Sequence, residues 1–280
     1  MALAFTKWQG CGNDFVLIDC RERELDDYGA FAKKVCDRHF GIGADGVLVV
    51  LDSDQADYRM RIFNTDGSEA EMCGNGIRCF ARYLRDHGAT DRDKFTVETG
   101  AGILVPEIVE KDGVVTGVRV DMGEPVLEAD KIPMAGYGNR RVVNEPVEVA
   151  GRKWNITGVS MGNPHCVVFV DDIKTTPIEE VGPIFEVQER YPKKTNTEFV
   201  QVLDRQHMRM RVWERGAAIT LACGTGACAT LTAAVLNGKT DRRAEITLDG
   251  GKLGIEWSEK DNHIYMTGPA VQVFAGEIEA

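Results

Sequence analysis

Short runs of β-branched or alternating residues punctuate the chain. Phe15 to Ile18, Val47 to Leu51 and Arg59 to Phe63 each carry the period-two or wholly apolar pattern of a strand. Elsewhere the period changes. From Gly74 to His87, Ile77, Phe80, Ala81 and Leu84 recur at helical spacing, and Gly224 to Leu236 is almost entirely small or apolar. A helix apolar nearly all round has no face to offer water, so it belongs in a core. Strands, a helix, two strands, a second helix and then hairpins is the order predicted for each half, which is not simple β-α-β winding.

The halves repeat. Arg59-Met60-Arg61-Ile62-Phe63-Asn64 matches Arg209-Met210-Arg211-Val212-Trp213-Glu214, 150 residues on. Cys73-Gly74-Asn75-Gly76 falls on Cys223-Gly224-Thr225-Gly226 at the same offset, and Gly12-Asn13 on Gly162-Asn163. Gly100 to Val105 continues onto Gly250 to Ile255, and after a six-residue slip Met122 to Pro125 finds Met266 to Pro269, as a longer hairpin in the first half would produce. Copies of about 125 to 145 residues can each own a core. The expectation is therefore an α+β protein of two pseudo-symmetric duplicated domains, residues 1–125 with 270–280 and residues 126–269. Each would be a mixed sheet wrapped around a central buried helix, with the active site in the cleft between them. The tail from Ala270 reads as a strand that pairs with the first domain.

Cys73 and Cys223 thus each precede a buried helix. There a thiol faces unpaired backbone N–H groups and the positive end of the helix dipole, which favour the thiolate and create a base usable near neutral pH. The same N–H groups, approachable through Gly74, Gly76, Gly224 and Gly226, form an anion site fit for a carboxylate. Two such sites around one ligand would put a sulfur on each face of a carbon bound to a carboxylate, the arrangement a racemase or epimerase needs. Cys11, Cys20, Cys36, Cys79, Cys166 and Cys228 have no cysteine partner at the offset and read as structural.

Composition narrows the field. With 33 Lys+Arg against 44 Asp+Glu, a net charge of −11 and a pI near 5.0, the chain lacks the basic face of a nucleic-acid binder. Its apolar runs are far short of the roughly 20 residues a membrane span needs, and the N-terminus carries no secretion signal. The expected compartment is the cytoplasm, where eight cysteines are thiols rather than disulfides. No Cys-x-x-Cys or paired histidine spacing signals a metal. Gly41-Ile42-Gly43-Ala44-Asp45-Gly46 is a literal Gly-x-Gly-x-x-Gly, but it precedes a strand where a dinucleotide site follows one. His165 and Cys166, adjacent on a strand, point to opposite faces and cannot pair as base and nucleophile.

Taken together, Gly12-Asn13-Asp14-Phe15, Arg38 to Gly46, Asn64-Thr65-Asp66-Gly67-Ser68, Met72 to Gly76, Gly162-Asn163-Pro164-His165, Asn196, Glu214-Arg215-Gly216 and Ala222 to Gly226 resemble the diaminopimelate epimerase family over essentially the whole chain. The resemblance implies interconversion of LL- and meso-diaminopimelate, without pyridoxal phosphate or any other cofactor, in lysine and peptidoglycan precursor synthesis. It further implies that Cys73 and Cys223 are catalytic, with His165 and Glu214 supporting them. Gly74, Asn75, Gly224 and Thr225 would hold the reacting carboxylate, and Asn13, Asn64, Asn163, Asn196, Glu214 and Arg215 the distal amino-acid end. A homodimer is implied as well. Arg215 can pair a carboxylate and Glu214 an ammonium, in keeping with that assignment. Gly46 departs from members with Gln near that position, so no such side chain can contribute a contact. The alternatives are a proline racemase-like isomerase, which would carry His where Asn75 stands, a thiol redox sensor closing Cys73 to Cys223, or a catalytically silent amino-acid binding module.

Overall fold

A computed structural model describes residues 2–279. Two units organise the chain: everything up to Asp121 together with the chain from Thr267 onward, and Met122–Met266. Met1 and Ala280, which the sequence expectation assigns to the first domain, lie outside the described residues.

The first unit runs through β1 (Ala2–Gly10), β2 (Asn13–Asp19), α1 (Tyr28–Cys36), β3 (Gly46–Leu51), β4 (Tyr58–Asn64), β5 (Glu69–Ala70) and α2 (Gly74–Asp86). It continues with β6 (Val97–Thr99), β7 (Gly102–Leu104), β8 (Glu107–Lys111) and β9 (Val114–Asp121). The second runs through β10 (Glu145–Val149), β11 (Arg152–Ser160), β12 (Pro164–Phe169), α3 (Ile178–Glu186), β13 (Asn196–Val202), β14 (His207–Glu214) and β15 (Ala218–Thr220). After α4 (Gly224–Leu236) come β16 (Arg243–Leu248), β17 (Gly251–Trp257) and β18 (Ile264–Gly268), and β19 (Val271–Glu279) closes the chain. No helix among the described residues is long and apolar enough to cross a membrane.

The duplication is visible element by element. β1 and β11, α1 and α3, and α2 and α4 begin and end 150 residues apart to the residue. In the first unit the strand order is β19-β1-β2-β3-β4-β6-β7 with β5 on β4; in the second it is β10-β11-β12-β13-β14-β16-β17-β18 with β15 on β14. β3 runs parallel to β2 with Phe15 opposite Gly46, and β13 parallel to β12 with His165 opposite Asn196, so even the register keeps the offset. The tail strand β19 pairs antiparallel with β1, Phe5 facing Gly276. Fold class and duplication are thus those the sequence predicts.

β3 is buried at all six positions, which is why it reads as an unbroken apolar run. Its Val47 and Val49 join Val16, Ile18, Phe31, Val35 and Phe63 in one core; Ile156, Val168, Val181, Phe185 and Phe199 anchor the corresponding core of the second unit. α2 packs on β1, β2, β3, β4, β8 and β9, and α4 on β11 to β14, β16 and β17. The helix expected to end at His87 ends at Asp86: His87 caps it, donating its N–H to Tyr83 O at 2.9 Å, and Gly88 turns the chain at φ +71°.

Candidate active site

Cys73 and Cys223 are the N-cap residues of α2 and α4, both in extended backbone (φ −141°, ψ 120° and φ −125°, ψ 112°). An N-cap side chain normally accepts from the third residue of its helix, and here sulfur takes that role. Cys73 Sγ accepts from Gly76 N–H at 3.4 Å and Cys223 Sγ from Gly226 N–H at 3.3 Å.

Around Cys73 the first unit gathers amides. Asn13, at the start of β2, donates through Nδ2 to Asp45 Oδ2 at 2.7 Å. A carboxylate only accepts, so Asn13 Oδ1 must face the other way, where it takes Asn75 Nδ2 at 3.0 Å and the Cys73 thiol at 3.6 Å. Asn75 Oδ1 in turn accepts from Arg78 at 3.0 Å, and the guanidinium, wholly buried, also reaches Gly74 O and Pro269 O. Asp45 is fixed by Arg38 at 2.7 Å. The glycine-rich segment before β3 therefore supplies the residue that orients Asn13, a part its sequence pattern does not reveal. Asn64 is engaged in its own turn, Nδ2 donating to Ser68 Oγ at 3.0 Å and its carbonyl accepting from Gly67 N–H.

Around Cys223 the second unit gathers ionisable groups. His165, fully buried on β12, meets Glu198 Oε1 through Nδ1 at 2.7 Å and Asn163 Oδ1 through Nε2 at 2.9 Å. Asn163 Nδ2 donates to Thr225 Oγ1 at 3.3 Å, and that hydroxyl lies 3.5 Å from Cys223 Sγ. A continuous chain thus links a buried carboxylate to the thiol. Glu214, at the end of β14, accepts from the Thr220 hydroxyl. Asn196 is consumed by backbone: Nδ2 donates to Pro164 O at 3.0 Å and Oδ1 accepts from Arg215 N–H at 2.9 Å, so it braces two neighbouring segments at once. The Arg215 guanidinium reaches Lys193 O at 3.0 Å.

Electrostatics correct one expectation. The helix N-terminus was expected to lower the thiol pKa, yet the Cys223 thiol is pushed well above its ordinary value. Burial is the main cause, and the charges of Glu214 and Glu198 add to it; the Thr225 hydroxyl and Gly226 N–H oppose them and lose. Burial likewise raises Glu214, helped by Glu198. Burial also pushes Cys79 and Cys166 up to about 12 and Cys36 to about 11. No disulfide joins any of the eight cysteines among the described residues.

Of the residues singled out from sequence, Cys73, Gly74, Asn75 and Asn13 come together in the first unit. In the second, Cys223, Gly224, Thr225, Asn163, His165 and Glu214 do, with Asn196 bracing Arg215 beside them. Glu198 and Asp45 were missed. The departure at Gly46 has a steric reason, since a Cβ there would stand 2.8 Å from Phe63 O on the paired strand β4. No cluster of three or more His, Cys, Asp or Glu among the described residues could hold a metal ion.

Comparison with known proteins places these two clusters in context. The family model for diaminopimelate epimerase matches residues 5–128 and 157–273. The diaminopimelate epimerase of Moorella thermoacetica is 56% identical over 274 residues, 98% of each chain, and that of Agathobacter rectalis 52% identical over 283 residues, 99% of each. Among solved structures, a phenazine biosynthesis protein of the PhzF family from Bacillus anthracis superposes with a TM-score of 0.72 at 20% identity, covering 100% of both chains. A hydroxyproline epimerase from Agrobacterium vitis with bound trans-4-hydroxy-L-proline gives 0.69 at 13%, covering 99% of this chain and 92% of that one. At such identities these two share the fold.

Proposed function

The chain belongs to the diaminopimelate epimerase family, and from that premise we propose that Cys73 and Cys223 are the acid and base of its reaction. The activity is the interconversion of LL- and meso-2,6-diaminopimelate, an isomerisation at one α-carbon that belongs to lysine biosynthesis. The thiolate of one cysteine removes the α-proton, and the electron pair passes into the adjacent carboxylate. The thiol of the other gives its proton to the opposite face. The substrate leaves with that centre inverted and the two cysteines with their protonation exchanged, so atoms and charge balance without pyridoxal phosphate or metal.

The observation that carries this reading is the cysteine N-cap repeated on α2 and α4. The developing carbanion is stabilised by N–H groups at Gly74, Asn75, Gly224 and Thr225, which are oriented before the reaction begins. At the substrate's non-reacting end, Arg215 takes the carboxylate, Glu214 the ammonium, and Asn13, Asn64 and Asn163 either group, while Asn196 acts through Arg215, whose N–H it holds. His165 supports catalysis beside Cys223. A site with that many polar groups rejects analogues lacking the distal end, whose absence leaves them unpaired. The working unit is a homodimer, as the family resemblance implies, and eight cysteines outside any disulfide among the described residues suit the reducing cytoplasm.

The test is incubation of the reduced protein with LL-diaminopimelate in D₂O, with neither pyridoxal phosphate nor metal added. Loss of the α-proton signal with appearance of the meso isomer is the expected result; Cys73→Ala and Cys223→Ala each abolish epimerisation. Near-normal turnover in either variant refutes the two-thiol reading.

A further inference from the structure

Beneath α4 sits a group to which the proton-transfer reading gives no task. Glu198 on β13 is wholly buried, with Oε1 against His165 Nδ1 and Oε2 without a hydrogen-bond partner among the described residues. A carboxylate removed from water with half its acceptor capacity unmet is costly. The fold itself does not demand it, because the duplicate position 150 residues earlier is Leu48. The two are equivalent in register, Glu198 opposite Val167 and Leu48 opposite Leu17. They are equivalent in packing too: a Cβ on Gly226 would meet Glu198 Oε1 at 2.7 Å and Cys223 Sγ at 3.2 Å, whereas one on Gly76 would meet Leu48 Cδ2 at 3.1 Å. The same comparison puts Phe15 where His165 stands and Asn64 where Glu214 stands. The second half has become ionisable at three positions where the first is neutral.

We propose that Glu198 is a positioning residue for the epimerisation. Its carboxylate fixes the His165–Asn163–Thr225 chain and places under Cys223 a negative charge that Leu48 cannot place under Cys73, so that Cys223 rests as the proton-bearing member of an inequivalent pair. The inference rests on the proton-transfer reading above. The ionisable groups facing Cys223 are Glu198 from β13, Glu214 from β14 and, through Glu198 and Asn163, His165 from β12. The remaining strands against α4 turn apolar residues inward: Ile156 and Val159 from β11, Ala244, Ile246 and Leu248 from β16, and Leu253 and Ile255 from β17. The raised Cys223 thiol agrees in direction with this charge.

The experiment is a pH titration of the full chain labelled with ¹³Cβ-cysteine, the two resonances assigned from Cys→Ser variants, without substrate. In the wild-type protein Cys223 is expected to keep its proton to higher pH than Cys73. Glu198→Gln keeps an acceptor for His165 Nδ1 but removes the charge, and should lower the Cys223 midpoint by about one pH unit, roughly tenfold more thiolate at a given pH, leaving Cys73 unmoved. A reversed wild-type order overturns the proposal, as does an unmoved Cys223 midpoint in a folded Glu198→Gln protein, or an equal shift at both thiols. Where Glu198→Gln does not fold, Glu198→Leu, which copies the residue at the equivalent position of the first half, makes the same test with the same outcomes. Because no turnover is read, failure here is distinct from failure of the D₂O exchange test, which bears on the reaction itself.

Discussion

Alanine at Gly226 and alanine at Gly76 are one substitution made twice, at the third residue of α4 and of α2. Intrinsic propensity favours both, since helical Gly is worse than Ala by roughly 1 kcal/mol. The surroundings separate them. At Gly76 the new methyl meets Leu48 Cδ2 at 3.1 Å and Cys73 Cβ at 3.4 Å. A leucine tip can yield a few tenths of an ångström, so Gly76→Ala should lie within about 1 kcal/mol of wild type. At Gly226 it meets Glu198 Oε1 at 2.7 Å, roughly 0.6 Å inside an ordinary carbon–oxygen contact of about 3.3 Å. That oxygen is the far end of a side chain, but it is wholly buried and holds His165 at 2.7 Å, so moving it strains a buried hydrogen bond. Overpacking costs about 1–3 kcal/mol, and disturbing such a bond adds to it. Gly226→Ala should therefore be about 2 kcal/mol less stable than Gly76→Ala, once the shared helix gain cancels. Urea unfolding at pH 7, followed by circular dichroism with equal m-values, reads the difference directly. Equal stabilities, or the reverse order, would show that Glu198 yields as freely as Leu48 and would refute the argument.

Other outcomes follow from the same geometry. Gly46→Gln should cost about 1–3 kcal/mol in unfolding experiments, because its Cβ collides with the Phe63 carbonyl, and should not lower KM. Asn196→Ala removes one of two side-chain donors to Pro164 O, the Thr195 hydroxyl remaining, and the acceptor of Arg215 N–H, a loss costing roughly 1–3 kcal/mol if left unsatisfied; steady-state kinetics should show KM rising as Arg215 loosens. Burial opposes ionisation of Asp14, but Arg38 and Lys7 prevail and hold its pKa at about 2, below the ordinary 3.8. Its contribution to stability is therefore complete above pH 3.8 and lost as pH falls toward 2, so Asp14→Asn should destabilise the protein at pH 7 and converge on wild type in acid unfolding curves. Cys36→Ala and Cys79→Ala, at fully packed positions, should lower thermal stability while leaving turnover per folded molecule unchanged.

The elements most legible in the chain are those whose pattern has one explanation. Gly224 to Leu236 can only be a buried helix, and its bounds are those the sequence predicts. Val47 to Leu51 is apolar throughout because both faces of β3 are covered. Apolar pattern alone places strand ends one or two residues short because Asn13, Asp19 and Asn64 are polar residues paired in ladders, where hydrogen bonding sets the limit. Glu198 escaped for a related reason. Asn196 to Val202 reads as an ordinary strand, and a glutamate there passes for its solvent face. The signal was available in the offset, which lays Glu198 on Leu48 within an apolar run.

The sequence by itself determined the duplication, the α+β class and the pairing of Cys73 with Cys223, because periodicity and spacing are properties of the chain. Tertiary structure decided what each thiol experiences. Whether an N-cap cysteine tends toward thiolate depends on a contest between helix amides, desolvation and neighbouring charges. Two of those three are set by residues outside the helix, the charges by Glu214 and Glu198, which strand register brings beside Cys223. Asn196 shows the same limit. Its motif marks it as polar and paired, but only the folded backbone shows that its partners are Pro164 O and Arg215 N–H. Spacing encodes which groups can meet; distance and burial in the fold fix how strongly they act on one another.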